Sequence, residues 1–179
     1  MLSLNGDPFP EYFDWSDHIA TSGTQDYLYH LNKTVLEIDN LVRIFELHFQ
    51  SKDFKLWKKE WHNQTLSAAW VHDIGMIDNR KEHGIISAEI ILGKNGHEFD
   101  FNGINNEDRA KIGILCIRHN SGWTKVFRAM KEILIDCGIS SDILEEWFED
   151  EDTPKWDLDF AGKLISTADS LRCRGKNLR

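Results

Sequence analysis

The chain of 179 residues is 41% hydrophobic and 28% charged, a composition typical of an ordinary folded domain, which excludes an intrinsically disordered chain. No apolar run approaches the roughly 18 residues of a membrane-spanning helix, and we therefore predict no contact with a membrane. The net charge is -9, and without a basic stripe duplex nucleic acid is a poor candidate for a partner.

The N-terminal residues 1–24 are predicted to form an irregular lead-in, because glycines and prolines interrupt any regular element there. We expect this segment to pack on the body of the protein through its aromatic side chains, which are Phe9, Tyr12, Phe13 and Trp15. Residues 25–179 are expected to form one domain, since domains usually hold about 100–200 residues.

Apolar spacing predicts helices along the rest of the chain. The clearest runs from Leu28 to Phe49, where apolar residues three and four apart form one continuous stripe. In the apolar segment 65–74 we expect Thr65 to cap a buried helix and Gly75 to end it. Further helices are predicted over 51–62, 83–93, 106–119 with Asn106 as N-cap, 124–137, 141–149 and 156–172. The predicted fold class is all-α, a single-domain bundle of roughly seven to nine helices.

Three cysteines bear on the cellular location. Cys116, Cys137 and Cys173 lie far apart, form no CxxC motif and cannot all pair within the chain. The N-terminus has neither a basic start nor an apolar segment typical of a signal peptide. We therefore predict reduced thiols and a cytoplasmic location.

His72 and Asp73 close the apolar segment 65–74, and no Lys or Arg lies within it. A carboxylate in such surroundings costs several kcal/mol unless it is paired. A metal ion would compensate Asp73 and use the neutral imidazole of His72, since adjacent helical residues point about 100° apart and both can reach an ion over the helix end. The alternative is that Asp73 caps the following turn while His72 forms a hydrogen bond in the core.

Asp169 repeats this anomaly on the last predicted helix. It shares an apolar face with Leu158, Ala161 and Ile165, where an unpaired carboxylate is unfavourable. A second carboxylate of this kind favours a common metal site. The alternative is an ordinary surface pair with Arg172, three residues further along the helix.

His83 and His119 also lie beside apolar stripes. His119 follows Ile112 and Leu115 on the inner face of its helix, and His83 precedes the stripe of Ile86 and Ile90. Taken singly, each such histidine is more often a hydrogen-bonded core residue or a helix cap than a metal ligand.

The order His30, His72-Asp73, Asp169 resembles the H…HD…D signature of the HD superfamily of metal-dependent phosphohydrolases. The local sequences agree: LSAAWVHDIG, HGIISAEIIL, ILCIRHNSGW and LISTADSLRCRG resemble four segments of that family in the same order. The resemblance extends over residues 26–174. His83 and His119 match two extra histidines of the dinuclear subgroup, which includes HD-GYP phosphodiesterases and bacterial hydrolases of diadenosine tetraphosphate. HNSGW stands where the HD-GYP motif would be centred, which argues against cyclic dinucleotides.

The resemblance implies one or two divalent transition metal ions, and ligands of this kind suit Mn, Fe, Co, Ni or Zn. The first ion would be held by His30, His72, Asp73 and Asp169. A second would be held by His83 and His119, with Asp73 as a bridge. The same resemblance implies that Asp73, His83 and His119 take a direct part in catalysis.

The first histidine has two candidates in one predicted helix. His30 and His48 are eighteen residues apart, which places them about 27 Å apart on the same side of that helix, so only one can reach the site. In the family, the first ligand lies near the start of the first core helix, and this favours His30.

The resemblance implies hydrolysis of a phosphate ester or phosphoanhydride in a small, nucleotide-like substrate by a metal-activated water. Two alternatives stay open: a nucleotide-binding or signalling module whose catalysis has lapsed, and a di-iron oxygenase on the same helical site. Basic side chains near the mouth would place the substrate, and the candidates are Lys33, Arg80, Lys81, Arg118 and Arg172. The sequence does not indicate an oligomeric state.

Overall fold

The computed structural model describes residues 27–48, 51–77, 79, 81–94 and 104–174. Within these, the side chains of 27–29, 77 and 172–174 are not described. The predictions for the lead-in 1–24, the side chains of Arg80 and Arg172 and the thiol of Cys173 therefore lie outside the described residues.

Eight α-helices account for most of the described residues. They are α1 (Tyr27–His48), α2 (Lys52–Glu60), α3 (His62–Val71), α4 (His83–Leu92), α5 (Asn106–Arg118), α6 (Trp123–Asp136), α7 (Ile143–Trp147) and α8 (Trp156–Arg174). A short 3-10 helix covers Ile74–Ile77, and strand β1 (Phe148–Asp150) pairs antiparallel with β2 (Thr153–Pro154). The predicted all-α fold is confirmed. No helix in the described part of the chain is both long and apolar enough to cross a membrane.

The stripe on α1 faces the core, as predicted. Leu31, Val35, Ile38 and Val42 are buried, and the helix packs against α3 and α8. His30 comes directly before the first of these buried residues. The apolar stripe thus turns the start of α1 towards the interior of the bundle.

Helix α5 lies at the centre of the bundle. Every residue from Ala110 to Ile117 is buried, because α3, α4, α6 and α8 all pack on it. The N-cap is Asn105, one residue earlier than predicted, and its side chain accepts a hydrogen bond from the backbone N–H of Asp108 at 2.8 Å. At the C-terminal end of this buried helix, His119 lies in the core.

Helix α3 differs from the prediction at both ends. It begins at His62, and Thr65 is not a cap, because its hydroxyl donates to the carbonyl of Trp61 within the helix at 2.7 Å. It ends at Val71, so that His72 and Asp73 lie in a turn before the 3-10 helix. Gly75 lies inside that 3-10 helix, where it permits close packing: a Cβ there would be 2.2 Å from the carbonyl oxygen of His83.

The helix predicted over 141–149 ends at Trp147, where the chain turns into the β1–β2 hairpin. Phe148 begins the hairpin and is buried. Its ring packs edge-on against Trp123 and Phe127 of α6. This aromatic contact favours an extended backbone at Phe148 over continuation of the helix.

Candidate metal centre

The bundle brings together all six side chains singled out in the sequence as candidate ligands. His30 comes from α1, His72 and Asp73 from the turn after α3, His83 from the first position of α4, His119 from the end of α5, and Asp169 from α8. They form three overlapping groups whose donor atoms lie within 4.8 Å of one another: His30, His72 and Asp73; His72, His119 and Asp169; and Asp73, His83 and His119. Such groups could hold a metal ion.

One half of the cluster contains two imidazoles between two carboxylates. Nε2 of His30 lies 3.6 Å from Oδ2 of Asp73 and 3.3 Å from Oδ1 of Asp169. Nε2 of His72 lies 3.4 Å from the same Asp73 oxygen and 3.7 Å from the same Asp169 oxygen. Each of the two nitrogens therefore lies within 3.7 Å of an oxygen of both carboxylates.

The other half uses the second oxygen of Asp73. Oδ1 of Asp73 lies 3.1 Å from Nε2 of His83 and 3.7 Å from Nε2 of His119, and these two nitrogens are 2.9 Å apart. The Asp73 carboxylate thus faces one pair of imidazoles with each oxygen.

Two of the imidazoles are held in the tautomer that binds metal through Nε2. Nδ1 of His72 lies 2.8 Å from the carbonyl oxygen of Ala69, and Nδ1 of His119 bonds the carbonyl oxygen of Cys116. A carbonyl only accepts, so each Nδ1 carries the proton and, in a neutral ring, Nε2 keeps its lone pair. Backbone carbonyls commonly orient metal-binding histidines in this way.

In the half of the cluster that contains His30 and Asp169, opposite charges close together outweigh burial and set the pKa values. Burial alone would raise the pKa of the Asp73 carboxyl, but the imidazoles of His72, His30 and His83 outweigh it and hold that pKa well below its usual range. Burial likewise lowers the pKa of His30, yet hydrogen bonds to Asp169 and Asp73 raise it to about 9. Protons on the histidines thus neutralise the two carboxylates when no cation is bound.

The pKa of His119 is lowered, whereas that of His30 is raised. Burial and the neighbouring charge of His72 lower the pKa of His119 to about 4. Its imidazole is therefore neutral near pH 7, the form in which histidine binds a metal ion.

Metal uptake is expected to release at least about one proton per chain near pH 7, because a protonated His30 must lose its proton before Nε2 can bind. Since the pKa of His30 is about 9, metal affinity should fall as the pH is lowered from about 8 to about 6. Calorimetric titration in buffers of different ionisation enthalpy measures the released protons. An affinity that is constant over this range would contradict the expectation.

Ser87 fixes the turn that carries His72 and Asp73. This serine is fully buried on α4. Its hydroxyl donates to the carbonyl oxygen of His72 at 2.8 Å and accepts from the backbone N–H of Gly75 at 2.9 Å. Because His83 lies one turn earlier on the same helix, Ser87 connects the two halves of the metal centre through the backbone.

Ser87→Ala is expected to lower the free energy of unfolding by about 1–3 kcal/mol, because it leaves the buried His72 carbonyl and Gly75 N–H without this partner. Urea unfolding of the metal-free protein measures the change. Ser170→Ala, an exposed serine on α8, is the control and should change the free energy by less than about 0.5 kcal/mol. An equally small effect at Ser87 would contradict its positioning role.

The structure also distinguishes the two candidates for the first histidine. His30 lies in the cluster, whereas His48 is exposed at the other end of α1. Among the basic candidates, the Arg118 guanidinium stacks on the ring of Trp123 at 4.8 Å and donates to Ser166. Lys81 is exposed. A role of these basic residues in substrate binding stays a prediction.

Two polar residues beside the candidate ligands were not predicted from the sequence. Ser87 lies in the segment HGIISAEIIL, and Asn120 lies directly after His119. The amide Nδ2 of Asn120 is 3.2 Å from Nε2 of His83. The position of Asn120 directly after a candidate ligand at a helix end is the sequence feature that could have indicated its place at the centre.

Comparisons of this chain with protein-family models, with curated proteins and with solved structures found no match. The arrangement of the cluster is consistent with an HD-type site. What is established is therefore a helical protein in which buried His and Asp side chains could bind metal.

Proposed function

We propose that this chain is an HD-type, metal-dependent phosphohydrolase that cleaves a phosphate ester or phosphoanhydride in a nucleotide-like substrate. The observation that carries the proposal is the two-sided environment of Asp73, whose Oδ2 faces His30 and His72 while Oδ1 faces His83 and His119. The order of these residues in the sequence, with Asp169 last, supports the same assignment.

The donor set fits first-row divalent transition metals, since it consists of imidazole nitrogens and carboxylate oxygens. His30, His72, Asp73 and Asp169 would hold one ion, and His83 and His119 would hold a second together with Asp73. Ions at such a site activate a water molecule and neutralise charge on phosphate oxygens. Mn, Fe, Co, Ni and Zn are all compatible with these ligands.

The protein itself shields the deeper histidines of the centre from water and fixes the orientation of their rings. His72 is fully buried and His119 nearly so, whereas the side chains of His30 and Asp169 are 18% and 22% exposed. A substrate would therefore reach the centre along its partly exposed side chains, which also include His83 with 11% exposure. The carbonyl bonds of His72 and His119 hold their rings in place before any substrate arrives, so little reorganisation is needed during the reaction.

The cellular part of the proposal is a cytoplasmic location. Cys116 and Cys137 are free thiols, and Cys116 is buried with a pKa raised well above its usual value by burial. Unpaired thiols of this kind are typical of reducing compartments.

Phosphate release tests the function. Protein loaded separately with each of the five metals is incubated with nucleoside monophosphates, nucleoside triphosphates and dinucleoside polyphosphates. We expect release of phosphate or cleavage of the anhydride with at least one pair, and loss of this activity after chelation. Activity no higher than that of Asp73→Ala on every substrate would contradict the proposal. Oxygen consumption without phosphate release would instead favour the oxygenase alternative.

A further inference from the structure

Asn120 lies at the exposed side of the second half of the metal centre. The residue is exposed to solvent, and its amide Nδ2 lies 3.2 Å from Nε2 of His83. The hydroxyl of Ser121 donates to the amide oxygen of Asn120 at 3.1 Å. With the amide in this orientation, the NH₂ group lies on the side of the centre.

Close packing of α4 on the end of α5 brings Asn120 to this place. A Cβ at Gly84 would lie 2.6 Å from the carbonyl oxygen of Cys116 and 3.3 Å from the amide oxygen of Asn120. Only a residue without a side chain permits this approach. Gly84 follows His83 directly, so the same contact sets the separation of Asn120 and His83.

The Nε2 atom of His83 cannot donate to Asp73 and accept from Asn120 at the same time. A neutral imidazole has one nitrogen lone pair. Nε2 of His83 lies 3.1 Å from Oδ1 of Asp73, which only accepts, so the proton on Nε2 is directed at Asp73 and this nitrogen offers Asn120 no lone pair. The same would hold if the lone pair of Nε2 bound a metal ion. The NH₂ group of Asn120 can then donate a hydrogen bond to a molecule bound at the exposed side of the centre.

We propose that Asn120 is a substrate-binding residue whose amide NH₂ donates a hydrogen bond to a phosphate oxygen of the substrate. This assignment rests on the proposed phosphohydrolase function. Hydrogen bonds to charged acceptors are stronger than those between neutral groups. A neutral amide also adds no charge that would compete with the ligands for the metal.

Inorganic phosphate is the probe for this assignment. Calorimetric titration of phosphate into the Mn-loaded protein measures binding directly, without turnover. Asn120→Ala is expected to weaken phosphate binding at least about tenfold, which corresponds to about 1.4 kcal/mol. Asn120→Asp should weaken it further, because a carboxylate replaces the donor and repels the anion. Elemental analysis should find the same metal content in the Asn120→Ala variant and the wild type.

Asn106→Ala is the matched control, because Asn106 is an exposed asparagine at the opposite end of the same helix. It should bind phosphate as tightly as the wild type. Wild-type affinity in Asn120→Ala would overturn the assignment of Asn120 and leave the phosphohydrolase proposal in place. If the metal-loaded wild type neither binds phosphate nor releases it from any substrate, both proposals are overturned. Loss of metal from Asn120→Ala would show a structural role and would also overturn the assignment.

Discussion

Asp73→Ala is expected to abolish turnover and to remove most of the bound metal. Both oxygens of Asp73 face candidate ligands of the two halves, so one substitution takes a donor from each. We expect turnover to fall by at least about a thousandfold, which corresponds to about 4 kcal/mol of lost barrier lowering. Turnover and elemental analysis are the two measurements.

The helical fold should persist in Asp73→Ala, since deletion of a buried carboxylate also removes its desolvation cost. Circular dichroism checks this. Asp142→Ala is the control, because Asp142 is exposed and forms no side-chain cap for α7. Turnover in Asp73→Ala above about a tenth of the wild-type value would remove Asp73 from the site.

His83→Ala and His119→Ala separate a dinuclear centre from a mononuclear one. Each removes one nitrogen that faces Oδ1 of Asp73 but leaves the proposed ligands of the first ion, His30, His72, Asp73 and Asp169, in place. Each is therefore expected to lose one ion per chain, keep the other, and reduce turnover by about two or more orders of magnitude. That reduction corresponds to about 2.7 kcal/mol or more.

His48→Ala is the matched control for these variants, because His48 is an exposed histidine outside the cluster. It should retain the metal content and turnover of the wild type. If His83→Ala and His119→Ala behave like His48→Ala apart from lower thermal stability, the two residues are core histidines. A mononuclear site and simple phosphomonoester substrates would then fit better.

The fold was predictable where one physical signal dominates. The stripe through Leu31, Val35 and Ile38 needs a 3.6-residue period, and the structure buries these residues. Helix ends were less predictable, because they depend on local hydrogen bonds. Thr65 has the chemistry of a cap, yet its hydroxyl bonds the carbonyl of Trp61 inside the helix. The hairpin at Phe148 was missed since its strands are too short to show alternation.

The composition of the metal centre was predictable from residue types and order, but its geometry was not. Nothing in the sequence indicates that the two oxygens of Asp73 face different imidazole pairs, because that depends on how α1, α4 and α5 pack around one turn. The roles of Ser87 and Asn120 were hidden for the same reason. A serine and an asparagine are ordinary polar residues until the fold places them 2.8 Å from the His72 carbonyl and 3.2 Å from Nε2 of His83.

The central claim is that the buried cluster of His and Asp residues holds metal, and metal content tests it most directly. Protein purified without chelator, and the same protein soaked in excess Mn²⁺ and then desalted, are analysed for metal per chain. We predict between one and two ions per chain in at least one preparation, since the six candidate ligands form three overlapping groups that could hold a metal ion. Less than about a tenth of an equivalent in both would contradict the account.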